Sequence, residues 1–564
     1  MSSNTSSQEV GTRVIEALGD HDVEYLFATY GTDHPPLQKG LAEADGPTPI
    51  IGPHEMTAAS AAHGYAQVTG EPQAVLVHVD VGTANLGASV HNAARSRVPV
   101  FILAGRTPQT TRDEQPGGRS IFVHYYQDVF DQHSLVREYT KWDYELQTWG
   151  NVDRVIDRGM DRCRSDPAGP VYLTLPREQL RTEIPGDAVA TGPTTGTTDV
   201  AATTVPDDRI AGLADAVAAA EFPILVTTYL GREEAAVETL VRFAETAGVG
   251  VIERAPSFDM NFPRDHPQHL GFLSEPYLAD ADVVLVAGCD VPWVPSQATP
   301  RSDATVVHVD VDPAKPQYPL WDFEADVRVA ASPDAVLEDL TDALADRSGT
   351  DTEERIEAIR TAATERRRER DERLEDATSA AAITPEFLSR TIADVLEPTD
   401  VVVDETVTNT VTVLDYLERT EPGTYYSYCS SGLGWSAGAS LGIKLAKPDE
   451  RVVSVVGDGS FVLGNPLSSM HMARMYDLPH LVVVYNNSRW QAVGDAIVQQ
   501  YGESPFPYEQ FTTFDPPLDF AGPLSGMGCH AERVDDPAAL EPALEAALEA
   551  VDAGQPAVLD VTLP

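Results

Sequence analysis

Positive charge is what this sequence has least of. The chain of 564 residues carries 88 acidic and 39 basic side chains, a formal net charge of −49, and only five of the basic residues are lysines. The acids are spread along the whole chain, and no basic patch could neutralise a nucleic-acid backbone. This excludes nucleic acid as a partner. We interpret the even, lysine-poor acidity as halophilic, an adaptation to a cytoplasm of high salt, where self-repulsion is screened.

Cysteines and long apolar runs are also scarce. The four cysteines, Cys163, Cys289, Cys429 and Cys529, lie far apart and form no CxxC pair, so neither a disulfide framework nor a zinc site is expected. No apolar run is long enough to cross a bilayer, and residues 1–10 are polar rather than signal-like. We therefore expect a soluble cytoplasmic protein with buried free thiols and no membrane partner.

Length and periodicity predict three domains. A single core is implausible at 564 residues. Buried apolar runs alternate with helical segments, which is the pattern of parallel sheets with crossover helices. We assign the domains to residues 1–185, 195–350 and 380–564. A Gly/Thr/Pro-rich segment at 188–209 is predicted to be a linker, and a segment at 351–377 with alternating charges is predicted to be a solvated helix.

The most informative pattern is strand, turn, helix, strand in the last third of the chain. Residues 452–456 and 481–485 have the composition of buried strands, and the tripeptide GDG at 457–459 forms a turn between them. Because the carboxyl ends of parallel strands lie side by side, Asp458 and Asn487 should converge. One carboxylate and one amide oxygen suit Mg²⁺, and glycines allow backbone N–H groups to approach a phosphate. The alternative is a plain βαβ unit with a polar loop.

This pattern resembles the thiamine diphosphate (ThDP) motif, in which GDG is followed after one helix and one strand by NN. The resemblance implies two sets of residues around the cofactor. The implied metal ligands are Asp458, Asn487 and the backbone carbonyl of Arg489. The residues implied to lie against the diphosphate are Gly457, Gly459 and Ser460.

A second motif lies in the first third. Residues 51–70, IGPHEMTAASAAHGYAQVTG, have the composition of an Ala-rich helix that begins at Glu55. Taken alone, Glu55 is an acid at a helix start that faces the helix dipole. The pattern HE-x3-A-x2-A-x-GYA-x2-TG also resembles the pyrimidine-domain signature of ThDP enzymes. That resemblance implies that Glu55 contacts N1′ of the aminopyrimidine, which would favour its imino form. Upstream, residues 32–36 form a polar loop at a strand end, where chemistry is common, or a Pro-rich turn.

Further candidates follow from the same resemblance. Residues 123–147 are similar to the acetolactate synthase segment that reads FQE and then TKHNY, which makes Gln127 a candidate catalytic residue. His124 is a candidate acid/base, because an HH pair lies near here in pyruvate decarboxylases, and a structural hydrogen bond is the alternative. The implied cofactor contacts in the last third are Glu405 and Thr406 beside the diphosphate, the Ser431 carbonyl at the 4′-amino group, and Leu433, which is either the wedge that bends ThDP or an ordinary core residue.

Over nearly the whole chain, the motifs resemble the superfamily of ThDP-dependent acetolactate synthases and 2-oxo acid decarboxylases. The resemblance implies an α/β fold of three doubly wound parallel-sheet domains: pyrimidine-binding, central and diphosphate-binding. It also implies ThDP and Mg²⁺ as cofactors and a homodimer or homotetramer in which Glu55 and Asp458 of one active site come from different copies. Residues 288–293 read GCDVPW where acetolactate synthases carry an arginine and acids, which puts FAD in doubt.

Three interpretations of the activity remain open. We favour an acetolactate synthase-like enzyme that decarboxylates a 2-oxo acid and joins the product to a second carbonyl. The first alternative is a simple decarboxylase of the benzoylformate or pyruvate decarboxylase type, which releases an aldehyde. The second is a non-catalytic paralogue that serves as a subunit, and it is disfavoured because Glu55, Asp458 and Asn487 are all present.

Overall fold

The computed structural model describes residues 8–112, 114–185, 203–345, 347, 350–428, 431–502 and 507–564. The predicted linker at 188–209 falls largely on residues 186–202, and this stretch and Cys429 lie outside the described residues. The remainder folds around three six-stranded sheets, and within each of them every strand pair is parallel.

The first sheet is built from the N-terminal third. The strands of this part are β1 (Gln8–Glu9), β2 (Tyr25–Ala28), β3 (Thr48–Ile51), β4 (Gln73–Val77), β5 (Val100–Arg106), β6 (Asp143–Glu145), β7 (Val171–Pro176) and β8 (Glu183–Ile184). Its helices are α1 (Val10–Gly19), α2 (Pro35–Glu43), α3 (Glu55–Thr69), α4 (Val79–Arg95), α5 (Val123–Tyr126), α6 (Val152–Arg164) and α7 (Arg177–Leu180). The sheet order is β3-β2-β4-β5-β7-β6, and β1 pairs with β8 separately.

The second sheet belongs to the middle of the chain. Its strands are β9 (Pro223–Thr227), β10 (Gly250–Glu253), β11 (His269–Gly271), β12 (Val283–Ala287), β13 (Thr305–Asp310) and β14 (Val327–Ala330), in the order β11-β10-β9-β12-β13-β14. The helices here are α8 (Asp207–Ala219), α9 (Glu234–Ala247) and α10 (Pro333–Ala345). Strands β10 and β11 lie on one side of β9, whereas β12, β13 and β14 lie on its other side. A cleft is therefore expected at the carboxyl ends of β9 and β12, where the strand order changes direction.

The third sheet holds the GDG motif. Its strands are β15 (Val401–Glu405), β16 (Tyr425–Tyr426), β17 (Val452–Gly457), β18 (Leu481–Asn486), β19 (His530–Val534) and β20 (Ala557–Thr562), in the order β16-β15-β17-β18-β20-β19. The helices are α12 (Pro385–Val395), α13 (Thr410–Tyr416), α14 (Trp435–Ala446), α15 (Asp458–Leu463), α16 (Pro466–Met475), α17 (Gln491–Tyr501), α18 (Glu509–Thr512), α19 (Ala521–Gly526) and α20 (Pro537–Asp552). Counted along the chain, this strand order is the same as in the first sheet.

The charged segment at 351–377 forms one long helix, α11 (Thr350–Thr378). The predicted helix is present, but it is not solvated all round. Arg355 donates to the carbonyls of Ala218 and Ala247 at 2.8–3.0 Å, and Arg366 donates to Asp415 at 2.7 Å. Arginine can bury its stem while its guanidinium bonds carbonyls or acids, so a charged helix can still pack against the central and C-terminal parts.

Helices α3 and α14 join the first sheet to the third within one chain. Small residues make this crossing possible: a Cβ on Gly442 would lie 1.8 Å from the Ala61 carbonyl oxygen, and one on Gly64 would lie 2.3 Å from that of Ala439. The two carboxyl edges that carry the candidate site residues are therefore held in a fixed relation by close backbone packing.

The prediction of an α/β fold with three doubly wound parallel-sheet domains is confirmed. The domain boundaries stay predictions. Cys163, Cys289 and Cys529 are buried free thiols, as expected. Among the described residues, no helix combines the length and the apolar character needed to cross a membrane.

Candidate active site

The turn after β17 and the segment after β18 converge, as the sequence predicted. The register pairs Gly457 with Tyr485, so the two strand ends lie side by side. They open into a cavity of about 130 Å³, which we call the crevice, lined by Asp458, Gly459, Ser460, Asn487, Arg489 and Trp490 among others. The predicted turn differs in one respect, because helix α15 already begins at Asp458.

Asp458 is buried in the crevice, and only one of its two carboxylate oxygens is hydrogen-bonded within the described residues. It is 4% exposed. Its Oδ1 accepts a hydrogen bond from the Gly459 N–H at 2.6 Å, whereas Oδ2 has no hydrogen-bond partner among the described residues. Burial outweighs the nearby backbone N–H groups of Gly459, Ser488 and Arg489 and raises the pKa of Asp458 to about 6. A buried carboxylate oxygen without a partner fits a site for a cation.

The other two predicted metal ligands line the same crevice. The Asn487 Oδ1 accepts from the Arg489 N–H at 3.2 Å, and the Arg489 carbonyl accepts from the Gln491 N–H at 3.0 Å. Carboxylate, amide and carbonyl oxygens are the donor set that a hard cation such as Mg²⁺ prefers. The residues present therefore fit a magnesium ion.

The glycines keep the crevice open to a ligand. A Cβ on Gly459 would lie 2.4 Å from the Trp490 ring, so only glycine allows this ring to cover the turn. At Gly457 a Cβ would have no neighbour closer than 3.6 Å, and it would project into the free space of the crevice. The backbone at Gly457 can thus be approached closely by a bulky anion such as a diphosphate, whereas the Trp490 ring packs over Gly459.

Glu405 is the last residue of the neighbouring strand β15 and Thr406 follows it, and both side chains are hydrogen-bonded within the protein. The Glu405 carboxylate accepts from the backbone N–H groups of Gly434 and Ser436 at 2.6 and 2.7 Å and from the Tyr428 hydroxyl at 3.0 Å. It therefore caps the start of α14. Thr406 donates to Asp404 at 2.7 Å and lines the crevice.

Leu433 lies on the border between the crevice and a second, larger cavity of about 890 Å³, which we call the chamber. Ser431 also lines the chamber, and its carbonyl accepts from the Leu433 N–H at 3.1 Å. Asn92 on α4 donates to the Gly432 carbonyl at 2.7 Å. The segment 431–433 is thus held between the N-terminal and C-terminal parts.

Glu55 is the first residue of α3 and is 8% exposed. Its Oε2 accepts from the Asn85 side chain at 3.1 Å. In the part of the chain that the structure describes, Glu55 lines neither the crevice nor the chamber. One chain therefore does not bring Glu55 together with Asp458.

A group of titratable side chains lies at the carboxyl edge of the first sheet. Asp33 follows β2, and His78 follows the adjacent β4. The His78 Nδ1 is hydrogen-bonded to the Asp33 carboxylate, and its Nε2 lies 3.3 Å from the Gln127 Oε1. His34 accepts from the Gly31 N–H at its Nδ1, so its Nε2 donates to Asp33 at 3.1 Å.

This arrangement suits a protonated His78. Burial lowers the pKa of His78, but the hydrogen bond and the charge of Asp33 outweigh burial, and the net effect raises it. Both ring nitrogens face acceptor oxygens, which an imidazolium with two N–H donors satisfies. Burial also opposes the charge of Asp33, but its bonds to His34 and His78 hold the pKa of Asp33 well below its usual range.

Gln127 and His124 are both buried near this group. The Gln127 carbonyl accepts from the Thr107 hydroxyl at 2.8 Å. The His124 Nδ1 accepts from the Ser120 N–H at 3.2 Å, and burial lowers the pKa of His124. His124 is thus in a structural hydrogen bond and uncharged at neutral pH, which makes it a weaker proton donor than His78.

The sequence analysis did not single out His78. The available signal was its position directly after the buried strand β4, in the first sheet's counterpart of the GDG turn. Only Gln127, among the predicted residues, contacts it. The loop at 32–36, for which a catalytic place and a plain turn were both considered, supplies its partner Asp33.

Parallel sheets whose strand ends carry a buried carboxylate in a cavity and a histidine paired with an acid are typical of cofactor-dependent α/β enzymes. Three family models match the chain: the N-terminal TPP binding domain of thiamine pyrophosphate enzymes at residues 8–135, their central domain at 210–340 and their C-terminal TPP binding domain at 405–561. The chain therefore belongs to the thiamine pyrophosphate, or ThDP, enzymes.

Similar proteins come from two groups of this family. Benzoylformate decarboxylase of Pseudomonas aeruginosa is 26% identical, over 95% of this chain and 96% of that protein. A probable acetolactate synthase large subunit of Methanocaldococcus jannaschii is 23% identical, over 98% of this chain and 91% of that protein. The solved structure of the thiamine diphosphate-dependent 4-hydroxybenzoylformate decarboxylase of Rhodococcus jostii has the same fold, with a TM-score of 0.81, 23% identity and coverage of 98% of this chain and 99% of that chain.

Proposed function

We propose that this protein is a ThDP- and Mg²⁺-dependent decarboxylase that converts a 2-oxo acid into an aldehyde. The observation that carries the proposal is the buried Asp458 Oδ2, which lacks a partner beside Asn487 in the crevice. A divalent cation bound there would supply the missing positive charge, and it could also bind the diphosphate of the cofactor.

Each predicted cofactor residue has a task in this proposal. Asp458, Asn487 and the Arg489 carbonyl would hold Mg²⁺. The backbone at Gly457, Gly459 and Ser460 would face the diphosphate. Leu433 would support the thiazolium ring, the Ser431 carbonyl would face the 4′-amino group, and Glu405 would keep α14 in place. When bound, ThDP supplies the nucleophilic carbon and the electron sink that a 2-oxo acid needs to lose CO₂.

His78 is the reason to favour an aldehyde-releasing enzyme. After CO₂ leaves, the acyl carbon must receive a proton before an aldehyde can depart. His78, charged through its pairing with Asp33, is a proton donor that Gln127 orients. His124 lies close by as an uncharged hydrogen-bonding neighbour. Carboligation requires instead that the acyl carbon attack a second carbonyl before it is protonated.

The active site needs a second copy of the chain. Glu55 and His78 line neither the crevice nor the chamber among the described residues. In a homodimer, Glu55 of one copy would hold the proton at N1′ of a cofactor whose diphosphate sits in the other copy's crevice. A homotetramer would contain two such dimers.

Acetolactate synthase-like carboligation is the second candidate, supported by similarity to acetolactate synthases over nearly the whole chain. FAD is not part of either proposal. At the carboxyl end of β12, Asp290 accepts from Arg97, Lys315 and Tyr318 at 2.6–2.8 Å. The reason to leave FAD out is the sequence at this strand end, where residues 288–293 read GCDVPW and lack the arginine and acids of the acetolactate synthase segment.

Product analysis tests the proposal. The protein is loaded with Mg²⁺ and ThDP at high salt, as the proposed halophilic cytoplasm demands, and is supplied with pyruvate or phenylglyoxylate. We expect aldehyde and CO₂, and we expect EDTA to stop turnover. Acetolactate as the main product would favour the second candidate. Protein that binds ThDP but turns over no 2-oxo acid would favour the non-catalytic subunit.

A further inference from the structure

The chamber leads away from the crevice towards the carboxyl edge of the central sheet. Val407 and Leu433 border both cavities, and Arg95 and Arg254 line the chamber. We propose that the chamber receives the distal end of the substrate and that Arg95 and Arg254 bind a second anionic group there. The substrate would be a dicarboxylic 2-oxo acid. This inference rests on the proposed function and specifies its substrate class.

Arg254 is a fixed cation with an unused donor. It follows β10 and is 8% exposed. Its Nη2 donates to the Glu275 Oε1 at 2.9 Å, and the same oxygen accepts from the Val294 N–H at 3.0 Å. Its Nε is buried and has no hydrogen-bond partner in the described part of the chain. The Arg254 side chain lines the chamber, so a ligand carboxylate there would meet its positive charge.

Arg95, the last residue of α4, supplies charge that the protein does not neutralise. Within the described ranges, no carboxylate lies at salt-bridge distance from it. Its Nη1 donates to the Gln317 carbonyl at 3.3 Å, and its guanidinium lies 4.6 Å from the centre of the Tyr318 ring.

The acids on the chamber wall are already engaged. Asp290 is bound by Arg97 and Lys315, and Glu405 is bound by backbone N–H groups at the start of α14. His91 adds no charge, because burial and then Arg95 lower its pKa. Arg254 is likewise paired with Glu275, so Arg95 is the charged side chain of the wall that has no carboxylate partner among the described residues.

Much of the chamber lining is apolar. Its side chains include Phe258, Leu273, Val291, Val294 and Val411. A cavity of about 890 Å³ is far larger than a three-carbon 2-oxo acid needs and lies within the usual size range of ligand pockets. A substrate with an apolar segment and a second anionic group matches a lining that combines these side chains with two arginines.

Matched substrate pairs test the inference with the holoenzyme. The pairs are 4-carboxyphenylglyoxylate with phenylglyoxylate, and 2-oxoadipate with 2-oxohexanoate. We expect wild type to prefer the dianion of each pair. Arg95→Gln and Arg254→Gln should lower kcat/KM for the dianions by roughly 10–100-fold, the worth of a charged hydrogen bond, and leave the monoanions nearly unchanged. Arg301→Gln removes an exposed arginine paired with Asp303 and serves as the matched control.

Direct binding separates this inference from the proposed function. Calorimetry of the holoenzyme with adipate and hexanoate needs no turnover, and adipate should bind more tightly in wild type than in Arg95→Gln. Dicarboxylate binding without turnover of any 2-oxo acid would refute the proposed function but support the anion site. Turnover of monoanions without preference for dianions would overturn the inference alone.

Two further outcomes are decisive. If ADP displaces adipate and binds more tightly, the chamber is a nucleotide site and the inference is wrong. If Arg254→Gln unfolds at a lower temperature than wild type, its loss of activity would not isolate the contact with the second anionic group. The comparison of dianions with monoanions is then made with Arg254→Lys and with Arg95→Gln, whose side chain is less buried. Equal losses for dianions and monoanions in Arg95→Gln would then also overturn it.

Discussion

The first and third sheets share one strand order, and the residue after their third strand differs: His78 in the first and Asp458 in the third. His78 is hydrogen-bonded on both sides by side chains of its own domain. Asp458 has an oxygen with no partner among the described residues. At this shared position, both ring nitrogens of His78 have hydrogen-bond partners, whereas one carboxylate oxygen of Asp458 has none among the described residues.

The difference shows how two related domains can divide one task. At the N-terminal edge, despite burial, Asp33 favours the charged form of His78 and raises its pKa. The C-terminal edge instead disfavours the charge of Asp458, whose pKa burial raises to about 6. A metal ion with a diphosphate would offset the free-energy cost of burying the charged Asp458 carboxylate. Ligand binding should therefore stabilise the C-terminal edge more than the N-terminal edge.

Replacing Asp458 by alanine should have the largest effect. We expect turnover of 2-oxo acids to fall by more than about 1000-fold, because the metal ligand and with it the diphosphate site are lost. Mg²⁺ and ThDP together should raise the Tm of wild type and leave that of the variant unchanged. Calorimetric titration of ThDP measures the loss directly.

Asp394→Ala is the matched control for this variant. Asp394 is an exposed acid on α12, ion-paired only with Arg390 in the described structure, so cofactor binding and turnover should stay as in wild type. If Asp458→Ala still bound ThDP with wild-type affinity, the crevice would not be the diphosphate site.

The fold was readable from the sequence because buried strands of Val and Ile alternate with helices. The convergence of Asp458 and Asn487 followed from one topological rule about strand ends, and the structure places them in one crevice. The GDG tripeptide was predicted as a turn, whereas α15 starts within it. Local sequence determines the exact first residue of a helix only weakly, and tertiary packing decides it.

The N-terminal edge was less readable. The pairing of Asp33 with His78 joins residues 45 positions apart, and nothing in either local segment encodes it. The place of Glu405 beside the diphosphate stays a prediction. The cap that its carboxylate forms on α14 was not predicted, and it depends on a left-handed Gly434 with φ of 99°. Such long-range polar contacts follow from tertiary packing rather than from local pattern.

Mixing two inactive variants tests whether the two edges meet between copies. Glu55→Gln and Asp458→Ala should each be inactive alone. Co-expressed in equal amounts, they should recover about a quarter of the wild-type sites, because a mixed dimer holds one intact site and one doubly defective site. Turnover of the purified mixed dimer, tagged differently on each chain, gives the measurement.

The outcome separates two architectures. If Glu55 and Asp458 served the same site from a single chain, no mixture could restore activity. A doubly substituted chain mixed with wild type is the control, since mixed dimers of that kind contain no fully intact site, and it should add nothing to the activity of the wild-type homodimers present.

Replacing His78 by alanine should lower decarboxylation by roughly 10²–10⁴-fold, the usual worth of a positioned general acid. ThDP binding should be unchanged, since His78 lies away from the crevice. Without the donor, a larger share of the acyl product should be joined to a second carbonyl, which product chromatography would detect. His471→Ala, at an exposed histidine of α16, is the control. Unchanged aldehyde release would remove His78 from the mechanism.

Replacing Asp33 by asparagine should have the smallest effect and the most informative one. Asparagine can still accept from the His78 Nδ1–H but carries no charge, so the pKa of His78 should fall. Because charged His78 is the proposed donor, activity is lost as pH rises through its pKa, and the alkaline limb of kcat should move to lower pH by roughly one unit. Asp131→Asn, at an exposed acid paired with Arg137, should leave the limb in place. If the alkaline limb of kcat stayed in place in Asp33→Asn and the Tm were unchanged, Asp33 would not set the charge of His78. The proposed electrostatic difference between the first and third sheets would then be wrong.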